Sequence, residues 1–324
     1  MQFRTQIPAL NSDIEINHHD KIMMLGSCFT ENMGKALKKL KFDIDLNPFG
    51  ITYNPYSIAQ HLEILANGIL FSENDLRQYN NLWHSFQHHS SFSSISKEES
   101  LQNINFRLEK SFDFLKNSKF LFITFGSSHY YTLCETNEIV SNCHKYPSKN
   151  FKKQIADIED ITKVYNDIFK KILSINPELK IILTISPVRY LSDGFHENQV
   201  SKSILQILCY NLENKFEQLS YFPSYEIMID DLRDYRFYEN DFIHPNNLAI
   251  DYIFEHFKKG YFKKETLDLI SKIEEINRAM QHRAFFPDNE KFRVFKSKIL
   301  ENVEQLKKQH PHLNMDAELK YFSE

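Results

Sequence analysis

Over the first 260 residues, short apolar runs of strand length alternate with stretches of helical spacing, and this alternation restricts the chain to one class of architecture. Residues 21–25 are apolar and end at Gly26, and 31–40 then put Met33, Ala36, Leu37 and Leu40 on one helical face. Residues 42–46 alternate like a half-buried strand. After Asn47-Pro48-Phe49-Gly50, Asn54 and Pro55 supply the cap and first position of a helix that stops at Asn67-Gly68. Ser96 and Glu99 form a capping box for a helix to about Lys116. Residues 120–125 and 180–185 read as the third and fourth strands, 160–175 and 197–219 as helices, and 225–229 as the fifth strand. Asn246 or Asn247 caps a last helix to about Lys258. Strands and helices in this order predict a mostly parallel sheet covered on both faces.

Two segments fall outside the alternation. Residues 129–134 and 139–143 flank Glu135-Thr136-Asn137-Glu138 and predict a hairpin inserted near 129–144, with paired numbers summing to about 273. That register sets Asn142 opposite Tyr131 and His144 opposite His129. Beyond Gly260 only helical patterning remains, over 266–282 and 290–309. The expected organisation is a catalytic α/β unit over 1–260 and a helical extension over 261–324.

Composition narrows the function. With 39 Lys+Arg against 43 Asp+Glu the net charge is -4, so the chain lacks the basic excess of a nucleic-acid binder. Its apolar runs fall far short of the roughly 18 residues of a membrane span, and no secretion leader is visible, so a cytoplasmic location without membrane partners is expected. Four cysteines without a CxxC pair predict free thiols. Only 7 glycines occur, so the positions that keep one are informative.

In open α/β sheets ligands bind beyond the carboxyl ends of the strands, and Gly26, Gly50 and Gly126 all fall at or just after such ends. Ser27 lies between the first strand and the first helix, where backbone N–H groups favour an anion and a hydroxyl can be presented as a nucleophile. A helix N-cap is the alternative for a serine there. An activated serine needs a histidine oriented by a carboxylate, and Asp241 with His244 is the close pair on the loop after the last strand. Cys28 is a rival nucleophile at a helix N-terminus. His84, His88 and His89 have metal-pair spacing only if helical. Trp83, Phe86 and Phe92 among serines read instead as an anchored loop, so neither metal nor cofactor is expected. Arg189 is a candidate to bind an anionic substrate group or to form a structural ion pair.

Met24-Leu25-Gly26-Ser27-Cys28-Phe29-Thr30 resembles the signature of the GSCFA family, with Thr30 replacing its final Ala. Asn240-Asp241-Phe242-Ile243-His244-Pro245-Asn246 is similar to the last block of the wider SGNH (GDSL-like) hydrolases. The resemblance implies a three-layer, flavodoxin-like α/β/α fold and hydrolysis of an ester or acyl group, an O-acetylated carbohydrate being one candidate. Ser27 would be the nucleophile, His244 the base and Asp241 its orienting partner, with Gly50 and the Ser27 N–H in the oxyanion hole. The third block, usually Gly-x-Asn, reads Gly126-Ser127-Ser128. Asn142 or His144, brought back by the hairpin, is the expected substitute, and Gly126 and Arg189 complete the substrate side. The rivals are an acyltransferase, a cysteine enzyme using Cys28, and a binding protein that has lost turnover.

Overall fold

The structure, a computed structural model, describes residues 4–8, 10, 12–282 and 289–323. Its elements in chain order are β1 (Lys21–Gly26), α1 (Cys28–Lys39), β2 (Asp43–Leu46), α2 (Pro55–Asn67), β3 (Arg77–Tyr79), β4 (Leu82–His84), α3 (Lys97–Lys116) and β5 (Phe120–Phe125). There follow β6 (His129–Leu133), β7 (Ile139–Val140), β8 (Phe151–Ile155), α4 (Ile158–Ile175), β9 (Lys180–Ile185), α5 (Phe195–Glu213), β10 (Leu219–Phe222) and a short α6 (Ser224–Glu226). The chain closes with α7 (Asn247–Tyr261), α8 (Lys264–Gln281), α9 (Glu290–Gln309) and α10 (Asp316–Ser323).

Five strands form one parallel sheet in the order β10-β9-β5-β1-β2. Counted along the chain this is 2-1-3-4-5, the flavodoxin-like order, whose switch point lies between β1 and β5. Because successive side chains alternate across the sheet, Met23, Leu25, Leu121 and Ile123 pack under α2–α5 while Ile22, Met24, Phe120 and Phe122 pack under α1 and α7. The C-terminal helices add Ile270, Ile273, Val303, Leu306 and Phe322 to that second layer, so they share its core.

Two expectations need correction. The helix α5 ends at Glu213, and the edge strand is Leu219–Phe222, paired with residues 181–184. Residues 225–229 are helical: Pro223 follows the strand directly, and Tyr225, Ile227 and Met228 are buried from a helical turn. The hairpin is tighter than expected. Asn137 takes a left-handed conformation, and Tyr131 pairs with Val140 and Thr132 with Ile139, so pairs sum to 271. Asn142 therefore lies past the end of β7. The other edge of β6 is taken by β8, which puts Ile155 opposite His129.

Candidate active site

Gly26 determines how β1 turns into α1. At φ +144° a Cβ there would sit 2.3 Å from the Thr124 carbonyl and 2.7 Å from Thr30 Oγ1. Its N–H donates to Asn47 Oδ1 (2.9 Å), which ties the turn to the loop after β2. Ser27 follows as the N-cap of α1: its Oγ accepts from Phe29 N at 3.3 Å, and its carbonyl accepts from Glu31 N. The capping reading and the nucleophile reading therefore apply to the same side chain. Cys28 begins the helix half-buried, and burial raises its thiol pKa, so the thiol is protonated near neutral pH.

Ser27 lines a cavity of about 560 Å³ at the carboxyl edge of the sheet, together with Cys28, Tyr53, Gly126, Asn142, Arg189 and His244. Tyr131, Tyr190 and His129 form further parts of its wall. His244 arrives on the loop before α7, whose N-cap is Asn246. Its Nδ1 donates to Asp241 Oδ2 at 2.7 Å, while Asp241 Oδ1 accepts from Ile243 N (2.8 Å) and His244 N (3.0 Å). These bonds, the backbone one from His244 first, hold the Asp241 carboxyl down at about 2. The imidazole is thereby fixed with Nε2 as the nitrogen left for chemistry. Ser27 Oγ and His244 are not hydrogen-bonded to each other in this structure.

Gly50 lies elsewhere. Its N–H donates to Asn47 O (2.8 Å) inside a tight turn, and a Cβ at its φ of +83° would strike His89 Cβ at 2.2 Å. Its observed role is to let the 85–92 loop pack closely, and an N–H already bonded in a turn is not a free oxyanion donor. His144, also in a left-handed conformation, is turned away from the cavity lining: its Nε2 bonds Ser85 O (2.8 Å) and its ring packs on His84. Asn142 accepts from His144 N through Oδ1 (2.8 Å), and its amide nitrogen has no protein acceptor among the described residues. The backbone N–H groups of Ser141 and Asn142 both donate to Phe86 O, which fixes Asn142 at the cavity wall.

The block that lacks its asparagine is bound to α5. Ser128 is fully buried, and its N–H and Oγ both contact Ser201 Oγ (2.8 and 3.1 Å). Lys202, also fully buried, donates to the carbonyls of Gly126 and Ser186 at 2.8 Å each, joining the ends of β5 and β9. Burial lowers its pKa to about 7, against the opposing pull of Cys28 and Glu226. The sequence reading missed Ser201, Lys202 and the tyrosines. The signal for the first two was polar residues on the buried face that Asn198, Leu205 and Leu212 define.

His84, His88 and His89 belong to β4 and the loop after it, not to a helix. The His88 ring lies buried near Phe49, Phe71 and Phe92.

Among solved structures the chain is similar to a carbohydrate esterase family 3 from Talaromyces cellulolyticus, at 12% identity and a TM-score of 0.35, over 79% of this chain and 99% of that one. It is similar also to a Clostridium thermocellum family 3 carbohydrate esterase, at 11% identity and a TM-score of 0.35, over 78% of this chain and 97% of that one. No curated protein matches the chain. The model of the GSCFA family matches residues 21–257, and that of the GSCFA domain protein, C-terminal domain, matches residues 273–324. The chain belongs to the GSCFA family.

Proposed function

We propose that this protein is a serine hydrolase of SGNH type that cleaves an ester or acyl group through Ser27, His244 and Asp241. The observation that carries the reading is that His244, oriented by Asp241, lines the same cavity as Ser27 at the carboxyl edge of a parallel sheet. Ser27 Oγ attacks the acyl carbon as its proton passes to His244 Nε2, and the same proton then goes to the departing alkoxide. Water attacks the acyl-enzyme by the reverse route and releases the acid. Asp241 holds the tautomer and offsets the imidazolium charge. The oxyanion forms at the N-terminus of α1, where the Ser27 N–H and the unpartnered amide of Asn142 are the donors. A protonated, partly buried thiol at Cys28 favours serine over cysteine as nucleophile.

Tyr53, Tyr131 and Tyr190 around the cavity, with Asn142 and Ser192 between them, suit a sugar ring that stacks on aromatic faces and hydrogen-bonds at its edge. An O-acetylated carbohydrate is the substrate this lining supports best. The test is intact-mass detection of Ser27 labelling by a neutral fluorophosphonate, followed by turnover of a panel of short acyl esters and acetylated glycans. A binding protein without turnover is the second reading, motivated by the engaged N–H of Gly50 and the buried Ser128. Absence of labelling with retained glycan binding would establish it.

A further inference from the structure

We propose that Arg189 is a positioning residue that sets where His244 stands relative to Ser27, an inference that rests on the reading of Asp241 and His244 as the general-base pair. The turn carrying that pair is self-contained in shape. Phe242 N donates to Glu239 O (2.9 Å), Glu239 N to His244 O (2.8 Å), and Asp241 Oδ1 accepts from Ile243 N and His244 N. None of these bonds fixes the turn to the sheet.

Arg189 supplies that connection. Its backbone N donates to Ile243 O (3.2 Å), and its Nε (3.2 Å) and Nη2 both donate to Phe242 O, 53 residues away in sequence. Among the described residues, the hydrogen bonds that join residues 239–245 to anything outside the 236–246 loop come from Arg189. The guanidinium also lies over the rings of Tyr238 (4.7 Å) and Tyr235 (5.7 Å), which stand before the turn. Phe242 is left-handed (φ 57°), a conformation unusual for a residue with a side chain, and its carbonyl is the one Arg189 grips. Arg189 itself follows β9, so the sheet edge reaches the turn of the histidine through one residue, by its backbone N–H and its guanidinium. Two of the three guanidinium nitrogens expected to bind an anionic substrate group, Nε and Nη2, are thereby committed to protein.

A planar fork with two donors on one carbonyl cannot be reproduced by a lysine. A displacement of about 1 Å in a reacting group costs on the order of 100-fold in rate. Arg189→Lys and Arg189→Gln should therefore lower kcat toward a neutral ester by about that factor, with KM within about 3-fold, and should slow phosphonate labelling of Ser27 in parallel. Methylguanidinium should restore part of the kcat of Arg189→Ala. In a His244→Ala background the Arg189 substitution should cost nothing further, since the group it positions is gone. Thermal melts of each variant separate these losses from unfolding. Arg189→Gln that labels at the wild-type rate overturns the proposal and leaves the hydrolase reading standing, as does a KM that rises only for acidic esters. Wild-type protein that fails to label overturns both.

Discussion

Lowering the pH from 7 to 5 should destabilise the cavity wall at Ser141 and Asn142 well before carboxylates titrate, because the packing behind it is built on neutral histidines. His61 is fully buried against Phe49, with its ring nitrogen at 2.9 Å from Gln87 O, and burial lowers its pKa to about 3. His88 is lowered well below its ordinary value by burial, and neither ring nitrogen has a partner. An imidazole whose folded pKa is depressed contributes stability that is present above its unfolded value near 6.5 and lost as the pH falls toward the folded value. Between pH 7 and 5 an imidazole held at about 3 forfeits about 2 kcal/mol, so His61 alone removes about that much and His88 adds to it in the same direction. That is a large share of a total stability of roughly 5–15 kcal/mol. The single tryptophan, Trp83, lies in β4 and its backbone bonds Ser94 beyond the loop that carries His88, so its fluorescence during urea unfolding at pH 7, 6 and 5 reports that segment. His88→Leu removes one titrating group and an unpartnered polar ring. It should make the fall of stability with pH shallower over this window. Equal slopes for variant and wild type would refute the argument.

Other outcomes follow from the site. Ser27→Ala should abolish turnover while Cys28→Ala keeps a large fraction of it; the reverse ranking in purified variants would mark a cysteine enzyme. Asp241→Asn should leave the melting temperature near wild type and lower kcat by roughly four orders of magnitude, because it removes the tautomer-setting carboxylate. Asn142→Ala should cost about 100- to 1000-fold in kcat with little change in KM, as measured by steady-state kinetics on a neutral ester. Gly26→Ala should lower the urea midpoint strongly, since the added methyl meets the Thr124 carbonyl at 2.3 Å and the φ of +144° disfavours any side chain.

The parts of the fold that were legible in sequence are those whose signals are local. Asn54-Pro55 begins α2 as the cap rule requires, and Ser96 accepts from Glu99 N at the start of α3. The apolar runs at 21–25, 120–125 and 180–185 became the central strands because residues buried on both faces need no alternation. The edge strand was misread because 219–222 carries a weak pattern next to Pro223, whereas the richer apolar run at 225–229 is buried by helical turns. At the site, Ser27 could be named from its place at a strand end and His244 from its spacing to Asp241, and both line the cavity; Asn142 was reached through a hairpin register of 273 that the observed pairs, summing to 271, do not keep. The commitments of Gly50, His144 and Arg189 could not, because each depends on a partner more than one element away: the 85–92 loop for the first two, Phe242 for the third.

These commitments explain how a third block without asparagine can still leave a donor in the cavity. Ser128 stands where that asparagine would, and Ser201 turns it inward while Lys202 grips the Gly126 carbonyl, so the sheet-end loop is held rigid but gives its donors to α5. The amide available to the cavity comes from Asn142, which lies past the end of β7 and whose backbone N–H donates to Phe86 O. Phe86 lies between His84, which packs on His144, and Gln87, whose carbonyl bonds His61. The proposed oxyanion donor therefore depends on the wall that acid loosens, whereas Ser27 depends on α1 and the central sheet. On this account kcat should fall with decreasing pH before the global unfolding midpoint is reached, and Asn142→Ala, which has no such donor left to lose, should show a shallower acid limb than wild type. An acid limb as steep in Asn142→Ala as in wild type would detach the wall from catalysis.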